Sequence, residues 1–184
     1  MSDVVIVDYG AGNTRSVRAA ITHVGRSSEV SADPDVIVAA PYVVLPGVGS
    51  AQSAMAHLNE TGAAAALRER FHQGAATLGI CLGMQLALGT SEEDGGVTCL
   101  GLLEGRVVRL VADRVPRLGW AIVEPWGDAY YFAHSFVADA PDAVATSDGL
   151  TVAVQRGAFF GVQFHPEKSG DAGLTFLGRC LSLA

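Results

Sequence analysis

Val4-Val5-Ile6-Val7 is apolar at four consecutive positions, the pattern of a strand covered on both faces. Further apolar runs follow at Val36-Ile37-Val38, Val43-Val44-Leu45 and Ala75-Ala76-Thr77-Leu78-Gly79-Ile80. Between these runs the period lengthens. Thr14 to Val24 predicts a helix closed by Gly25, Ala51 to Leu58 a second, and about Gly62 to Gln73 a third, stopped by Gly74. Leu82 to Leu88 predicts another, directly after the run that ends at Ile80. Strand, turn and helix thus alternate through residue 90, which predicts a parallel sheet with helices on both sides. From Leu103 the pattern changes to strands without intervening helices, at Leu103 to Leu110, Ala129 to Phe132, Thr151 to Gln155 and Phe159 to Phe164. Leu174 to Leu183 predicts a C-terminal helix. No repeat, linker or low-complexity segment interrupts the chain, and 184 residues with 49% hydrophobic content suit one domain over 1–184 with a substantial core.

Glycine-bearing turns end three of the apolar runs, and an open parallel sheet gathers such strand ends at one crevice. Asp8-Tyr9-Gly10-Ala11-Gly12-Asn13 resembles a phosphate loop, but no third glycine follows at the dinucleotide spacing, so a tight turn or a contact surface is the better reading. Pro46-Gly47-Val48-Gly49-Ser50 is either a structural turn or a set of backbone N–H groups that glycine lets reorient toward an oxyanion. The third turn carries chemistry. Gly79-Ile80-Cys81-Leu82-Gly83-Met84-Gln85 sets a cysteine between glycines at −2 and +2, the spacing of a strand-to-helix nucleophile elbow. Cys81 then falls at a helix N-terminus, where unpaired N–H groups and the positive end of the dipole favour a thiolate.

A nucleophilic cysteine wants a neutral imidazole close by. Gly161-Val162-Gln163-Phe164-His165-Pro166-Glu167 supplies one at the end of the last predicted strand. His165 and Glu167 are two apart, so in an extended segment both point to one face, and the carboxylate can fix the imidazole tautomer. A lone buried cysteine is ordinarily a small hydrophobe, which is the reading for Cys99 and Cys180. His165 alone would pass for a core histidine; a His-Pro-Glu at a strand end reads as a site.

A net charge of −7 disfavours nucleic acid as a partner, since phosphate binding wants clustered Lys and Arg. Three cysteines, an odd number, argue against a disulfide framework and fit a reducing compartment. No run approaches the ~18 apolar residues of a membrane span, and the first residues lack the layout of a secretory signal, so a cytoplasmic setting without membrane contact is expected. No Cys/His cluster has ligand spacing, so neither metal nor cofactor is expected. Lys168 is the sole lysine and stands beside the His-Pro-Glu, either as a contact or as an ordinary surface residue.

The two motifs around Cys81 and His165 together resemble the class I glutamine amidotransferases, which hydrolyse glutamine and hand the ammonia to a synthase. Further segments follow in order: Asp8 to Asn13, Leu45 to Gly49, Ser91-Glu92-Glu93, Gly101 to Val108, Val115-Pro116-Arg117-Leu118-Gly119-Trp120 and Tyr131-Phe132-Ala133-His134-Ser135-Phe136. Over nearly the whole chain they resemble the branch of that family formed by the glutaminase subunits of imidazole glycerol phosphate synthase, in histidine biosynthesis. The resemblance implies a three-layer α/β/α sandwich with a mostly parallel central sheet, of flavodoxin-like architecture. It implies a catalytic triad of Cys81, His165 and Glu167, and an oxyanion site from Gly47, Val48, Gly49 and Leu82. It also implies that L-glutamine is held by Gln85 and Glu93 and by main-chain groups near Ser135 and Phe136. The implied partner is the cyclase, whose (β/α)8 barrel forms a heterodimer with this chain. Asn13, Arg117, Trp120, His134 and Lys168 are the candidates for that interface.

Arg117 stands where the family usually has histidine, Ala121 where it has asparagine, and Phe136 where tyrosine is common. The stretch between Trp120 and Tyr130 is also shorter than usual. These departures bear on the partner interface rather than on the triad. An amidotransferase of another pathway is disfavoured by the His134-Ser135-Phe136 and Pro116 to Trp120 segments. A non-catalytic module on this fold would more often have lost the nucleophile or base, and a free-standing cysteine hydrolase would not carry its His-Pro-Glu on a late strand.

Overall fold

The computed structural model of the chain describes residues 2–10 and 13–182. Its first half alternates as the apolar pattern predicts: β1 (Val4–Val7), α1 (Thr14–His23), β2 (Ser28–Ser31), α2 (Pro34–Ala39), β3 (Tyr42–Leu45), α3 (Ala51–Glu60), α4 (Ala63–His72), β4 (Thr77–Ile80) and α5 (Leu82–Leu86). Two elements depart from expectation. The apolar run Val36-Ile37-Val38 lies inside α2, because Asp33 caps that segment by accepting from Asp35 N–H at 2.9 Å and Pro34 occupies its first turn. The intervening strand is instead the polar Ser28–Ser31, an edge strand with no apolar face to announce it.

The second half is rich in strands: β5 (Thr90–Ser91), β6 (Val97–Thr98), β7 (Arg106–Arg109), β8 (Arg117–Ile122), β9 (Ala129–His134), β10 (Phe136–Asp139), β11 (Ala143–Ser147), β12 (Leu150–Arg156) and β13 (Phe159–Val162), before α6 (Gly170–Ser182). The expected C-terminal helix therefore begins earlier than Leu174, and Leu183 lies outside the described residues. The strands β8, β10 and β11 carried no clear signal, since β8 sets only every second residue inward and its other face is solvent-exposed.

One sheet runs in the order β2-β1-β3-β4-β13-β12-β10-β7-β5-β6, with β11 paired to β12. From β2 to β13 every pairing is parallel; beyond β13, β12, β10 and β7 pair antiparallel. The strands β1, β3 and β4 are buried at every residue, as unbroken apolar runs require. Their side chains alternate between two cores. On one face Val5, Val7 and Leu45 meet Leu58 of α3 and Leu67 of α4; on the other Ile6 and Val44 meet Ile21 of α1 and Leu177 of α6. The result is the three-layer α/β/α sandwich, with the two-stranded β8–β9 ribbon added over the α1–α6 side.

Position in the sheet decides the site. The late strand β13 inserts beside β4 in parallel register, Gly161 opposite Gly79 and Val162 opposite Ile80. Segments distant in sequence thereby end together, Cys81 just past one strand and His165 just past the other. A buried arginine braces the opposite end of β4. Arg70 of α4 is fully buried and donates to the carbonyls of Ile37, Val38 and Ala40 around the C-terminal end of α2 and to Ala76 before β4, at 2.7–3.1 Å. Helix-end carbonyls otherwise lack partners, so the guanidinium both satisfies them and complements the dipole.

Candidate active site

Cys81 is held in a conformation that L-residues avoid, φ 50° and ψ −107°, which costs on the order of 1–3 kcal/mol. Close packing of three backbone segments enforces it. A Cβ on Gly83 would stand 2.0 Å from the Leu45 carbonyl oxygen, one on Gly47 2.0 Å from the Ile80 carbonyl oxygen, and one on Gly79 2.8 Å from Met84 N. Glycine at Gly47 and Gly83 lets the Pro46–Gly49 turn lie directly against the elbow, and glycine at Gly79 lets the start of the helix pack back on β4. The Cys81 N–H donates to Val162 O at 2.7 Å, tying the turn to β13, and the Cys81 carbonyl accepts from Met84 and Gln85. The helix that follows is shorter than predicted, ending at Leu86 rather than Leu88, because Ala87 and Leu88 close tighter turns onto Met84 and Gln85.

His165 is fixed by its own backbone. Its N–H donates to Tyr131 O at 2.9 Å, and its carbonyl accepts from Ser169 Oγ at 2.6 Å. The following residues Pro166–Lys168 form a single 3₁₀ turn, not the extended segment expected from the sequence. The turn still brings Glu167 back to the ring, with Nδ1 and Oε1 2.8 Å apart and both side chains buried. Asn13 Nδ2 donates to the same carboxylate oxygen. Burial works against a charged His165, but its hydrogen bonds to Cys81 and Glu167 and their negative charges outweigh it and push its pKa up to about 9. The site thus favours imidazolium, the form His165 takes once it holds the cysteine proton.

These groups open into a cleft of about 340 Å³ that Gly47, Val48 and Gly49 line on one side, Cys81 and Leu82 at the base, and Gln85, Glu93 and Ala133 to Phe136 beyond. The cleft therefore brings together all the residues expected to form the oxyanion site and to hold glutamine. Gln85 is buried, its amide nitrogen donating to Phe136 O at 3.0 Å and to Gln163 Oε1 at 2.9 Å. Glu93 is half-buried and one of its oxygens accepts from Ala51 N–H at 2.8 Å, at the first turn of α3; burial raises its pKa. The Ser135 carbonyl accepts from Leu110 N–H, and the Phe136 carbonyl accepts from Gln85 and faces His134 Nδ1 at 3.0 Å. Neither carbonyl is idle.

The interface candidates divide. Trp120 is 58% exposed and lies on strand β8, in a row with exposed Leu118 and Ile122. Lys168 is exposed at the cleft margin. Asn13 instead turns onto Glu167, as above. Arg117 points inward: its guanidinium lies 4.5 Å over the Phe132 ring and donates to Ser147 Oγ and Asp148 Oδ2. His134 is buried in the cleft wall, and burial, with Arg117 and His165 nearby, holds its pKa down at about 4. Of the Asp8–Asn13 turn, Ala11 and Gly12 lie outside the described residues.

Two contributors escaped the sequence reading. Tyr9 is buried beneath the Pro46–Gly49 turn, its hydroxyl donating to Pro46 O at 2.6 Å. Gln163, fully buried, donates from Nε2 to Cys81 Sγ at 3.5 Å. Both lie in motifs quoted above, so the residues were visible while their contacts were not. Cys99 and Cys180 are buried away from this cleft, and burial pushes their thiols up to about 11 and about 12, as inert packing cysteines require. Among the described residues no His, Cys, Asp and Glu are grouped to hold a metal ion, and no helix is long and apolar enough to cross a membrane.

A cysteine elbow backed by a histidine and a carboxylate at the strand ends of an α/β/α sandwich is the arrangement of a glutamine amidotransferase. The family described as Glutamine amidotransferase class-I matches residues 5–179, and the chain belongs to it. It is 46% identical, over 96% of its length and 93% of the relative's, to imidazole glycerol phosphate synthase subunit HisH of Moorella thermoacetica. The same-named proteins of Methylococcus capsulatus, 42% identical over 98% and 96% of the two chains, and of Symbiobacterium thermophilum, 43% over 97% and 93%, place it in the HisH branch. Among solved structures, a glutamine amidotransferase shares the fold at a TM-score of 0.82 with 21% identity over 97% and 98% of the chains. A putative GMP synthase component of Thermoplasma acidophilum does so at 0.68, with 17% identity over 98% and 94%.

Proposed function

We propose that this chain is the glutaminase subunit of imidazole glycerol phosphate synthase, hydrolysing L-glutamine to glutamate and ammonia. The ammonia passes to the cyclase, a (β/α)8 barrel paired with this chain as a heterodimer, which makes imidazole glycerol phosphate and AICAR in histidine biosynthesis. The observation that carries the reading is the in-register pairing of β13 with β4, which sets His165 and its partner Glu167 beside the strained elbow of Cys81. The Cys81 thiolate attacks the side-chain amide carbon of glutamine. The tetrahedral oxyanion takes N–H groups from Leu82 and from the Val48 peptide once that peptide is turned inward. His165 gives its proton to the departing nitrogen as the C–N bond breaks, leaving a thioester and ammonia. It then takes a proton from water, whose oxygen displaces the sulfur and releases glutamate.

Cleft lining supports Gln85 and Glu93 as the hold on the substrate. The Glu93 carboxylate suits the α-ammonium, and the Gln85 carbonyl oxygen is left as an acceptor because its nitrogen is already engaged. The exposed row Leu118, Trp120 and Ile122 on β8 supports a partner surface, since three large apolar residues on one strand face are unusual in water. Lys168 at the cleft margin is the charged member of that surface. A glutamine-analogue electrophile tests the chemistry: peptide mass spectrometry should find a single modified cysteine, Cys81. Modification at Cys99 or Cys180, or full turnover by Cys81→Ala, would end the reading.

A further inference from the structure

We propose that Gln163 is a catalytic residue of this site, a buried amide donor that holds the Cys81 sulfur as thiolate and fixes its direction of attack. The inference rests on Cys81 being the nucleophile.

One acceptor in this region cannot turn round. The Phe136 carbonyl, at the start of β10, can only accept. Gln85 approaches it at 3.0 Å, so the atom facing it must be the amide nitrogen. The same nitrogen lies 2.9 Å from the Gln163 side chain, so Gln163 must present its oxygen there. Its Nε2 then has one direction left, toward Cys81 Sγ at 3.5 Å. The chain Phe136, Gln85, Gln163, Cys81 is thus polarised one way throughout, and its last N–H is aimed at sulfur without any choice of amide flip.

Rigidity adds to orientation. Gln163 is fully buried, with its backbone N–H donating to Val152 O at 2.8 Å, and Gln85 is buried on the helix that begins at the nucleophile. A donor in a dry site interacts more strongly with a charge than one in water, and a hydrogen bond to the charged form lowers the free energy of that form selectively. A thiol gains little from such a donor; a thiolate gains much. The amide therefore acts on the reacting atom directly, from a buried position, whereas His165 and the Gly47–Gly49 turn line the cleft.

The full-length chain carrying Gln163→Met, similar in volume but without the donor, provides the test. Iodoacetamide needs no glutamine site, so its rate of reaction at Cys81, followed by peptide mass against pH, reads thiolate formation alone. The midpoint should rise by about one pH unit, and labelling below it should slow about tenfold. Glutamine turnover should fall at least as much, with KM changed less than about twofold. Gln163→Glu, which can accept from Gln85 but places a carboxylate at the sulfur, should shift the midpoint further, and it decides the matter if Gln163→Met does not fold. An unmoved midpoint with Cys81 still the labelled residue overturns this inference and leaves the glutaminase reading standing. Labelling of the native chain elsewhere than Cys81 overturns that reading instead.

Discussion

Tyr9 and Pro46, at the ends of two neighbouring strands, are joined by a hydrogen bond of 2.6 Å from the buried phenol to the proline carbonyl. Burial raises the Tyr9 pKa far enough that the phenol stays protonated and remains a donor. One hydroxyl therefore anchors the residue before Gly47, on the turn whose Val48 N–H an oxyanion would need. Tyr9→Phe should leave the Pro46 carbonyl unpaired, at ~1–2 kcal/mol, and lower Tm by a few degrees, about 2–4 °C per kcal/mol at this size. It should also loosen the Pro46–Gly49 turn and raise glutamine hydrolysis by the isolated chain. A lower Tm with unchanged basal turnover would make the tether purely structural.

The isolated chain should in turn be slow. One missing oxyanion donor costs about 10²–10³ in rate, so a single peptide turned away is a sufficient switch. Adding the proposed cyclase partner, loaded with the substrate it cyclises, should recover that factor, because only a partner with higher affinity for the turned-in state can shift the equilibrium. Steady-state glutaminase activity with and without partner and ligand measures it. Full activity of the chain by itself would remove the switch and leave the triad untouched.

Much of the site is legible in the sequence. The Cys81 and His165 motifs announce themselves because glycine, cysteine, histidine and proline are placed by backbone constraint, and constraint leaves a local trace. What depends on neighbours leaves none. Val36 to Val38 reads as a strand until Asp33 and Pro34 are recognised as a helix start. Arg117 reads as a candidate for the partner interface, yet the inward face of β8 delivers it to the Phe132 ring. Gln163 could not be assigned, since the carbonyl that sets its orientation comes from β10, a strand that carried no pattern of its own.

Two histidines set opposite pH limits. His165 has its pKa raised from 6.5 to about 9, so the stability its protonated form contributes is complete below about pH 6.5 and lost as pH rises through about 9. His134 is lowered to about 4, so the unfolded chain takes up a proton that the folded chain refuses, and stability is lost as pH falls from about 6.5 toward 4. Thermal unfolding against pH should therefore peak near pH 6.5. His134→Gln, which has no titration of its own, should flatten the acid side relative to the native chain while leaving the alkaline fall. An unchanged acid slope would show that carboxylates alone produce it.

The triad itself should fail unevenly. His165→Ala should abolish turnover as completely as Cys81→Ala, because without the base neither thiolate nor leaving amine is served. Glu167→Gln is gentler. Its oxygen can still accept from His165 Nδ1 and Asn13 Nδ2, which both meet Oε1, so the ring keeps its tautomer and loses only the neighbouring charge. The new amide nitrogen would take the place of Oε2, which is buried without a partner among the described residues. An unsatisfied buried donor there costs about 1–3 kcal/mol. Glu167→Gln should consequently be folded, less stable and partly active, and the double variant His165→Ala/Glu167→Gln should be no slower than His165→Ala alone. Steady-state kinetics of the three variants beside their melting curves decide it; a folded Glu167→Gln that binds glutamine yet is as inactive as Cys81→Ala would mean that the carboxylate charge, not the orientation it gives, is what His165 requires.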